Sequence, residues 1–328
     1  MKLLLPLAWL YGLATSLRNY LYDIGHYRSA KFEAPIICVG NLAVGGSGKT
    51  PMVEYLIRHL NNKKIGVLSR GYKRKTKGFR LASADDDAST IGDEPYQLFL
   101  KFKGIPIAVS EERALGAAEL LRDGECEAIV LDDGFQHRAI TPLFSIILTD
   151  YGKLFIEDYL LPAGRLRESR RGAKRAHAIV VTKCPDLSPE KRNEISQAIQ
   201  KYTQAPVFFA KIHYSPLAAF GNGTARPKAV LVSGLANAAA FKSYCESRFE
   251  TVRHFDFPDH YSYSSNDVRQ IEKSAAMNDA MIVTTEKDYV KLMKKVSAKD
   301  WFYLPVQIKF LDFENEFLTL ANLALWRE

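Results

Sequence analysis

The sequence predicts an α/β protein: a doubly wound, mostly parallel sheet followed by a second, smaller α/β domain. Three observations carry that expectation. Short, almost continuously apolar runs alternate with helix-period segments through the first two thirds of the chain. A glycine-rich turn stands between one of these runs and the helix after it. A loop-rich stretch at 211–228, with Pro216, Gly221, Gly223 and Pro227, separates a shorter second set of strand and helix signals from the first. The 328 residues suit two domains.

Taken in order, the first segment is "LLLPLAWLYGLATSL" (3–17), uncharged between Lys2 and Arg18. At helical spacing Leu3, Leu7, Leu10, Ala14, Leu17 and Leu21 share a face. The run is shorter than the ~20 apolar residues of a membrane-crossing helix. A core-packing helix, an interfacial membrane helix and a cleaved signal all fit it. A cleaved signal would carry the chain away from ATP, so that reading falls if the nucleotide site described next is real.

The runs "IICVG" (36–40), "IGVLS" (65–69), "PIAV" (106–109), "AIVLD" (128–132), "SIILT" (145–149) and "AIVVT" (178–182) lack period-two alternation. That is the pattern of strands covered on both faces, as in a parallel sheet. Helices are expected at 51–61, 93–102, 111–122 and 189–201. Beyond the break come "AVLVS" (229–233), a helix near 236–248, "MIVTT" (281–285) and a helix near 286–296. "FLTLANLAL" (317–325) reads as a last helix packing back onto the first domain.

Composition bounds the partners. Hydrophobic residues at 47% and charged residues at 25% are those of a folded chain. A net charge of +8 favours an anionic partner: nucleic acid, a phosphorylated substrate or an anionic membrane. Cys38, Cys126, Cys184 and Cys245 are scattered without a CxxC pair, which argues against a disulfide framework or a zinc site and fits a reducing compartment.

"VGNLAVGGSGKTP" (39–51) has the strand–turn–helix setting of a phosphate-binding loop, so the first domain is expected to be of the P-loop NTPase type. Val44, Gly45, Gly46, Ser47, Gly48, Lys49, Thr50 and Pro51 would wrap ATP. Lys49 would reach the β- and γ-phosphates and the Thr50 hydroxyl would ligate Mg²⁺. Pro51 suits a first helical turn, where a missing N–H costs little. Ala43 replaces the usual first glycine and is tolerable if its φ is negative. Val44 stands where the partitioning-ATPase loop has a lysine, which counts against that dimer-forming class.

"AIVLDDGFQHR" (128–138) ends a strand in two carboxylates, and either Asp132 or Asp133 would hold Mg²⁺. His137 could bind phosphate or substrate, although a lone histidine is more often structural. In "IGDEPYQL" (91–98), Asp93 and Glu94 read either as first-turn acids facing the helix dipole or as a base for an attacking hydroxyl. Basic residues gather in "SRGYKRKTK" (69–77), "EERALG" (111–116) and "LPAGRLRESRRGAKR" (161–175). Arg70, Arg113 and Arg167 are thereby candidates to clamp phosphate or substrate, with His137. Glu168 could be a metal ligand or a salt-bridge partner of the arginines around it. "TKCPD" (182–186) has Pro185 where guanine-reading loops have aspartate, so GTP specificity is not assigned. A nucleic-acid ATPase would interleave aromatics with its basic residues; 165–175 has none.

Eight blocks together, "VGNLAVGGSGKTP", "SRGY", "GDEP", "SEERALGA", "DDGFQHR", "LPAGRLRE", "TKCP" and "FPDHYSY", follow the order found in one family across residues 36–263. The chain resembles the tetraacyldisaccharide 4'-kinases, the lipid A 4'-kinases of Gram-negative bacteria. The resemblance implies transfer of the ATP γ-phosphate to the 4'-hydroxyl of tetraacyldisaccharide 1-phosphate. It implies that Lys49 and Thr50 serve the phosphates, that Asp93 and His260 together accept the hydroxyl proton, and that Asp132 and Asp133 bind metal. Arg113, Gln136, His137, Arg167 and Glu168 match further residues lining that site. It also implies an N-terminal membrane-surface helix (1–24), a P-loop kinase domain (25–210), a smaller α/β domain (211–304) and a C-terminal segment (305–328) packing back on the kinase domain. The expected location is the cytoplasmic face of the inner membrane, peripherally, against an anionic surface that suits the net charge. No nucleic acid and no obligate protein partner is expected. The competing reading is a nucleotide-switched ATPase of the partitioning or metal-insertion type.

Overall fold

The computed structural model describes residues 4–60, 63–296 and 300–325; Lys2 and Leu3, part of the expected N-terminal helix, lie outside them. Helix α1 (Leu5–Asp23) precedes an alternating succession of β1 (Ile36–Asn41), α2 (Lys49–His59), β2 (Ile65–Ser69), β3 (Arg80–Leu81), α3 (Ala88–Ile91), α4 (Asp93–Lys101), β4 (Ile107–Val109), α5 (Arg113–Asp123) and β5 (Ala128–Asp132). Then come β6 (Phe144–Asp150), β7 (Ala178–Thr182), α6 (Pro189–Gln200) and β8 (Val207–Tyr214). The remainder is β9 (Ala218–Ala219), β10 (Lys228–Ser233), α7 (Ala239–Glu246), β11 (Glu250–Asp256), α8 (Ser265–Met277), β12 (Met281–Thr285), α9 (Glu286–Leu292), β13 (Trp301–Leu304), β14 (Val306–Phe310) and α10 (Glu314–Leu325).

These strands form two sheets. The larger has the order β14-β8-β7-β6-β1-β5-β2-β4-β3 and is parallel except at its two edges, where β3 and β14 run antiparallel. The smaller has the order β11-β10-β12-β13-β9, parallel except for β9. The continuous apolar runs have the expected cause. Along β1, Ile37 and Val39 enter one core with α2 and α10, while Ile36 and Cys38 enter another on the opposite face. The smaller sheet is likewise covered on both sides, by Val230, Ile282 and Trp301 on one and by Leu231, Val283 and Phe302 on the other.

Two features differ from the sequence-based expectation. β8 runs on to Tyr214, past the boundary expected at 210, because its buried Phe208–Ala210 stretch gives way to half-buried and exposed residues without an apolar signature. The chain then leaves for the smaller sheet and returns as β14, which pairs with β8 starting from Val306 opposite Tyr214. Ser215 N–H donates to Pro305 O at 3.0 Å beside that pair.

α1 buries only Ala8 and Gly12. A β-carbon at Gly12 would lie 2.6 Å from Leu160 Cδ1, so small residues let the helix rest directly on the large unit. The face turned away carries Leu7, Trp9, Leu10, Leu13, Leu17 and Tyr20, each more than half exposed. Among the described residues, no helix is long and apolar enough to cross a membrane.

Candidate active site

The site lies at the carboxyl ends of the parallel strands, where open α/β sheets place their ligands. β1 ends at Asn41 and the chain curls through 42–48 into α2, whose N-terminus opens with Gly48 at φ 85°. That left-handed value explains why glycine stands there. Ala43 is not among the residues with positive φ, which removes the objection to its side chain. The loop is strapped from outside: Val44 N–H donates to Arg165 O at 2.8 Å and Arg167 N–H to Leu42 O at 2.7 Å. Inside, Asn41 Nδ2 donates to Ser47 Oγ at 2.8 Å and Thr182 Oγ1 to Ser47 O at 2.8 Å. Val44, Gly45 and Gly46 face solvent, and nothing lies within 4 Å of where a β-carbon on either glycine would sit. The result is a fixed, open concavity ahead of a helix N-terminus, suited to polyphosphate. Thr50 and Pro51 lie in the first turn of α2.

Lys49 Nζ lies 3.7 Å from Asp133 Oδ1, and Arg167 Nη2 bonds the same oxygen at 2.8 Å. Burial opposes charging Asp133, but Lys49 and Arg167 outweigh it and hold its pKa below the usual carboxylate range. Asp133 keeps φ at 50°, a strained value for a non-glycine residue. Asp132 is the contrasting neighbour: burial, then Asp133, pushes its pKa up to about 6. Ser69 Oγ donates to its Oδ2 at 3.0 Å, whereas Oδ1 is buried with no hydrogen-bond partner. An unsatisfied buried carboxylate oxygen costs free energy, so a cation beside it is the natural complement. Among the described residues, no three His, Cys, Asp or Glu side chains converge on one point. That suits Mg²⁺, which takes one or two carboxylates and completes its shell from phosphates and water.

Glu168, expected as a metal ligand or as a salt-bridge partner, is engaged by protein donors. It is fully buried, and its oxygens accept from Asn19 Nδ2 at 2.8 Å, Gln136 Nε2 at 2.9 Å and Arg175 Nη2. Three protein donors on its two oxygens make it a salt-bridge partner of Arg175, the other reading its surroundings allowed. Gln136 also donates to Asn41 O at 2.8 Å, so this knot braces the strand that enters the phosphate loop. α1 joins it through Asn19 and through Tyr11, whose hydroxyl donates to Arg167 O at 2.8 Å.

Arg113 is buried at the start of α5 and donates to Asp132 O at 3.3 Å; burial lowers its pKa to about 10. His137 is half-buried, and burial followed by the charges of Arg113, Arg70 and Arg18 depresses its pKa to about 4. It is therefore a neutral imidazole at physiological pH. Arg70 is exposed at the end of β2.

Asp93 and His260 meet across the two units: His260 Nδ1 lies 3.0 Å from Asp93 Oδ2. Asp93 opens α4 behind Gly92, whose φ is 96°. A β-carbon there would come 3.2 Å from Gly71 Cα and Tyr72 O, so two glycines let the "SRGY" turn lie against the "GDEP" turn. Tyr72 consequently packs edge-on against the His260 ring at 5.4 Å. His260 has φ at 59°. Its Nε2 lies 3.2 Å from Lys287 Nζ, which also contacts Asp259 at 2.9 Å and Glu94 at 3.3 Å. Burial opposes the charge on Lys287, yet Glu94 and Asp259 raise its pKa above the ordinary lysine value. The Asp93–His260–Lys287 chain can orient an imidazole and pass a proton between units.

Lys287, Tyr72, Asp259 and Asn41 are participants that sequence reasoning missed. Tyr72, Asp259 and Asn41 sit inside blocks already singled out, Asp259 directly beside His260. Lys287 follows the strand "MIVTT" with no motif of its own.

Comparison with known proteins shows the family. The family model for tetraacyldisaccharide-1-P 4'-kinase matches residues 1–322. A tetraacyldisaccharide 4'-kinase of Flavobacterium psychrophilum is 43% identical over 327 residues, covering 96% of this chain and 94% of the relative. One from Cytophaga hutchinsonii is 43% identical over 333 residues, covering 98% and 94%. Among solved structures, the "apo" form of LpxK from Aquifex aeolicus in complex with ATP is similar at a TM-score of 0.79 and 30% identity, covering 99% of both chains.

Proposed function

Since the chain belongs to the tetraacyldisaccharide-1-P 4'-kinase family, we propose that it divides the work of that reaction between its two units, with the donor held by the phosphate loop and the proton acceptor formed where they meet. The chain is an ATP-dependent kinase of lipid A biosynthesis that phosphorylates the 4'-hydroxyl of tetraacyldisaccharide 1-phosphate. The nucleotide-switch alternative is not favoured.

The loop from Val44 to Thr50 binds the ATP phosphates, with Lys49 on the β- and γ-oxygens. Asp132, Asp133 and the Thr50 hydroxyl are the residues that would hold Mg²⁺, which supplies charge neutralisation on the phosphates. Arg113, Arg70 and Arg167 add positive charge around the transferring group, and neutral His137 offers a hydrogen bond. The 4'-oxygen attacks the γ-phosphorus as the bond from that phosphorus to the β–γ bridging oxygen breaks, and ADP departs. The hydroxyl proton passes to Asp93, with His260 held against it and Lys287 fixing the far ring nitrogen. The exposed apolar face of α1 seats the enzyme peripherally on the cytoplasmic surface of the inner membrane, where its acylated substrate resides, with Arg18, Arg28 and Lys31 near anionic headgroups.

The 3.0 Å contact between Asp93 and His260 carries this reading, because it brings one carboxylate and one imidazole together from the two units at the mouth of the phosphate site. The test is direct: labelled ATP, Mg²⁺ and tetraacyldisaccharide 1-phosphate in detergent are expected to give the 1,4'-bisphosphorylated lipid. A folded, ATP-binding sample that fails to form it overturns the proposal.

A further inference from the structure

Helices α2, α4 and α9 each carry site residues at their beginnings: Lys49 and Thr50, Asp93, and Lys287. Away from the site the same helices meet at one ammonium. Lys101, the last residue of α4, lies 2.7 Å from Glu54 of α2 and 2.5 Å from Glu286, the first residue of α9. Glu54 is 1% exposed and also takes Gln97 Nε2 at 2.9 Å and Arg58 Nη2 at 3.2 Å. The other oxygen of Glu286 accepts the Val306 N–H at 3.0 Å, where the chain re-enters the large sheet. Two carboxylates and two cations balance, so the cluster needs no ligand.

Lys101 stands eight residues from Asp93, about 12 Å along the helix, too far to act on substrate. We propose that Lys101 is a positioning residue: by holding Glu54 and Glu286 together it fixes the phosphate loop on α2 relative to the Asp93–His260–Lys287 chain carried by α4 and α9. This rests on the roles given above to Asp93 and His260. Without the ammonium, two buried carboxylates face each other and repel, and the strain is relieved by parting α9 from α2 and α4. That movement separates donor and proton acceptor, and a misplacement of about 1 Å costs on the order of 10²-fold in rate.

Three variants test it against wild type: Lys101→Met, Lys101→Arg, and the neutral cluster Glu54→Gln/Lys101→Met/Glu286→Gln. Lys101→Met is expected to lower kcat by roughly 10- to 100-fold, with KM for ATP changed by less than about three-fold. Lys101→Arg retains most of the rate. The neutral cluster, freed of that repulsion, regains most of both the thermal midpoint and the rate. Spin labels on cysteines introduced at exposed Leu115 and Met277, the four native cysteines being buried, report the distance between units, and its distribution broadens in Lys101→Met. A folded Lys101→Met with wild-type kcat and an unchanged distance distribution overturns the proposal. So does a neutral cluster that regains its midpoint yet stays as slow as Lys101→Met, since repulsion between the carboxylates would then not be what displaces the helices. If wild type itself makes no bisphosphorylated lipid, the kinase reading fails, while the distance measurement still decides the role of Lys101.

Discussion

Two replacements of His260 separate its imidazole from its backbone. His260→Ala and His260→Gly both lose the contacts to Asp93 at 3.0 Å and Lys287 at 3.2 Å. Lys287 keeps Asp259 and Glu94, so neither change leaves an orphaned cation to distort the site. They differ in the cost of φ at 59°, which is about 1–2 kcal/mol for alanine and little for glycine. Loss of a proton-accepting partner costs ~10²–10⁴-fold in rate. kcat for 4'-phosphate formation, at saturating ATP and lipid, is therefore expected to fall by at least ~10²-fold in both variants, to values within a few-fold of each other. The thermal midpoint of His260→Gly should stand roughly 1–3 °C above that of His260→Ala, as about 1–2 kcal/mol implies for a chain of this size. Rates within about three-fold of wild type in both would refute the imidazole's role. A fast glycine variant beside a slow alanine variant would move the effect to the turn itself.

Replacing Leu10 and Leu13 by serine should weaken binding to anionic vesicles by about ten-fold or more for each side chain that enters the interface, with nucleotide affinity unchanged; equal vesicle binding would remove α1 as the anchor. Glu168→Gln is expected to lower unfolding free energy by about 2 kcal/mol, from the broken pair with Arg175, while Mg²⁺ affinity in the presence of ADP stays at the wild-type value; the reverse outcome would restore Glu168 to the metal set. His137, with a folded pKa near 4 against 6.5 unfolded, binds fewer protons in the native state over that interval. Its contribution is complete above pH 6.5 and is lost as pH falls toward 4, so the melting temperature of His137→Gln should decline less over that window; parallel declines would contradict the shift.

The parallel strands and the phosphate loop could be read from the sequence because their signals are local. A strand buried on both faces is apolar at every position, and a loop built on backbone N–H groups must spend glycines in a short span. β8, β11 and β14 escaped because half-buried residues break their runs, β13 because it is only four residues long before Pro305, and α8 because its apolar stripe is narrow. In the site, Asp93 and His260 stand 167 residues apart, and only family resemblance paired them. Lys287 and the Asn19–Glu168–Arg175 knot had no local spacing to give them away, since ion pairs between distant elements leave no periodic trace. Glu168 was ambiguous for the same reason: a carboxylate among arginines looks alike whether it serves a metal or its neighbours.

The antiparallel pairing of Tyr214 with Val306 has a consequence for how the chain is assembled. The smaller sheet is a cassette spliced into an edge of the larger one, and its entry and exit are cross-strand neighbours, about 5 Å apart. Both tethers thus act as a single door-post, which confines swinging to one axis rather than allowing the free tumbling of a unit on a string. The splice also explains how a sheet can host an insertion of this size without a gap: a two-residue turn joining Ser215 to Pro305 would close β8 on β14 as an ordinary hairpin. What remained would keep its phosphate loop and Asp93 and would lack His260 and Lys287, a nucleotide binder stripped of half its proton acceptor.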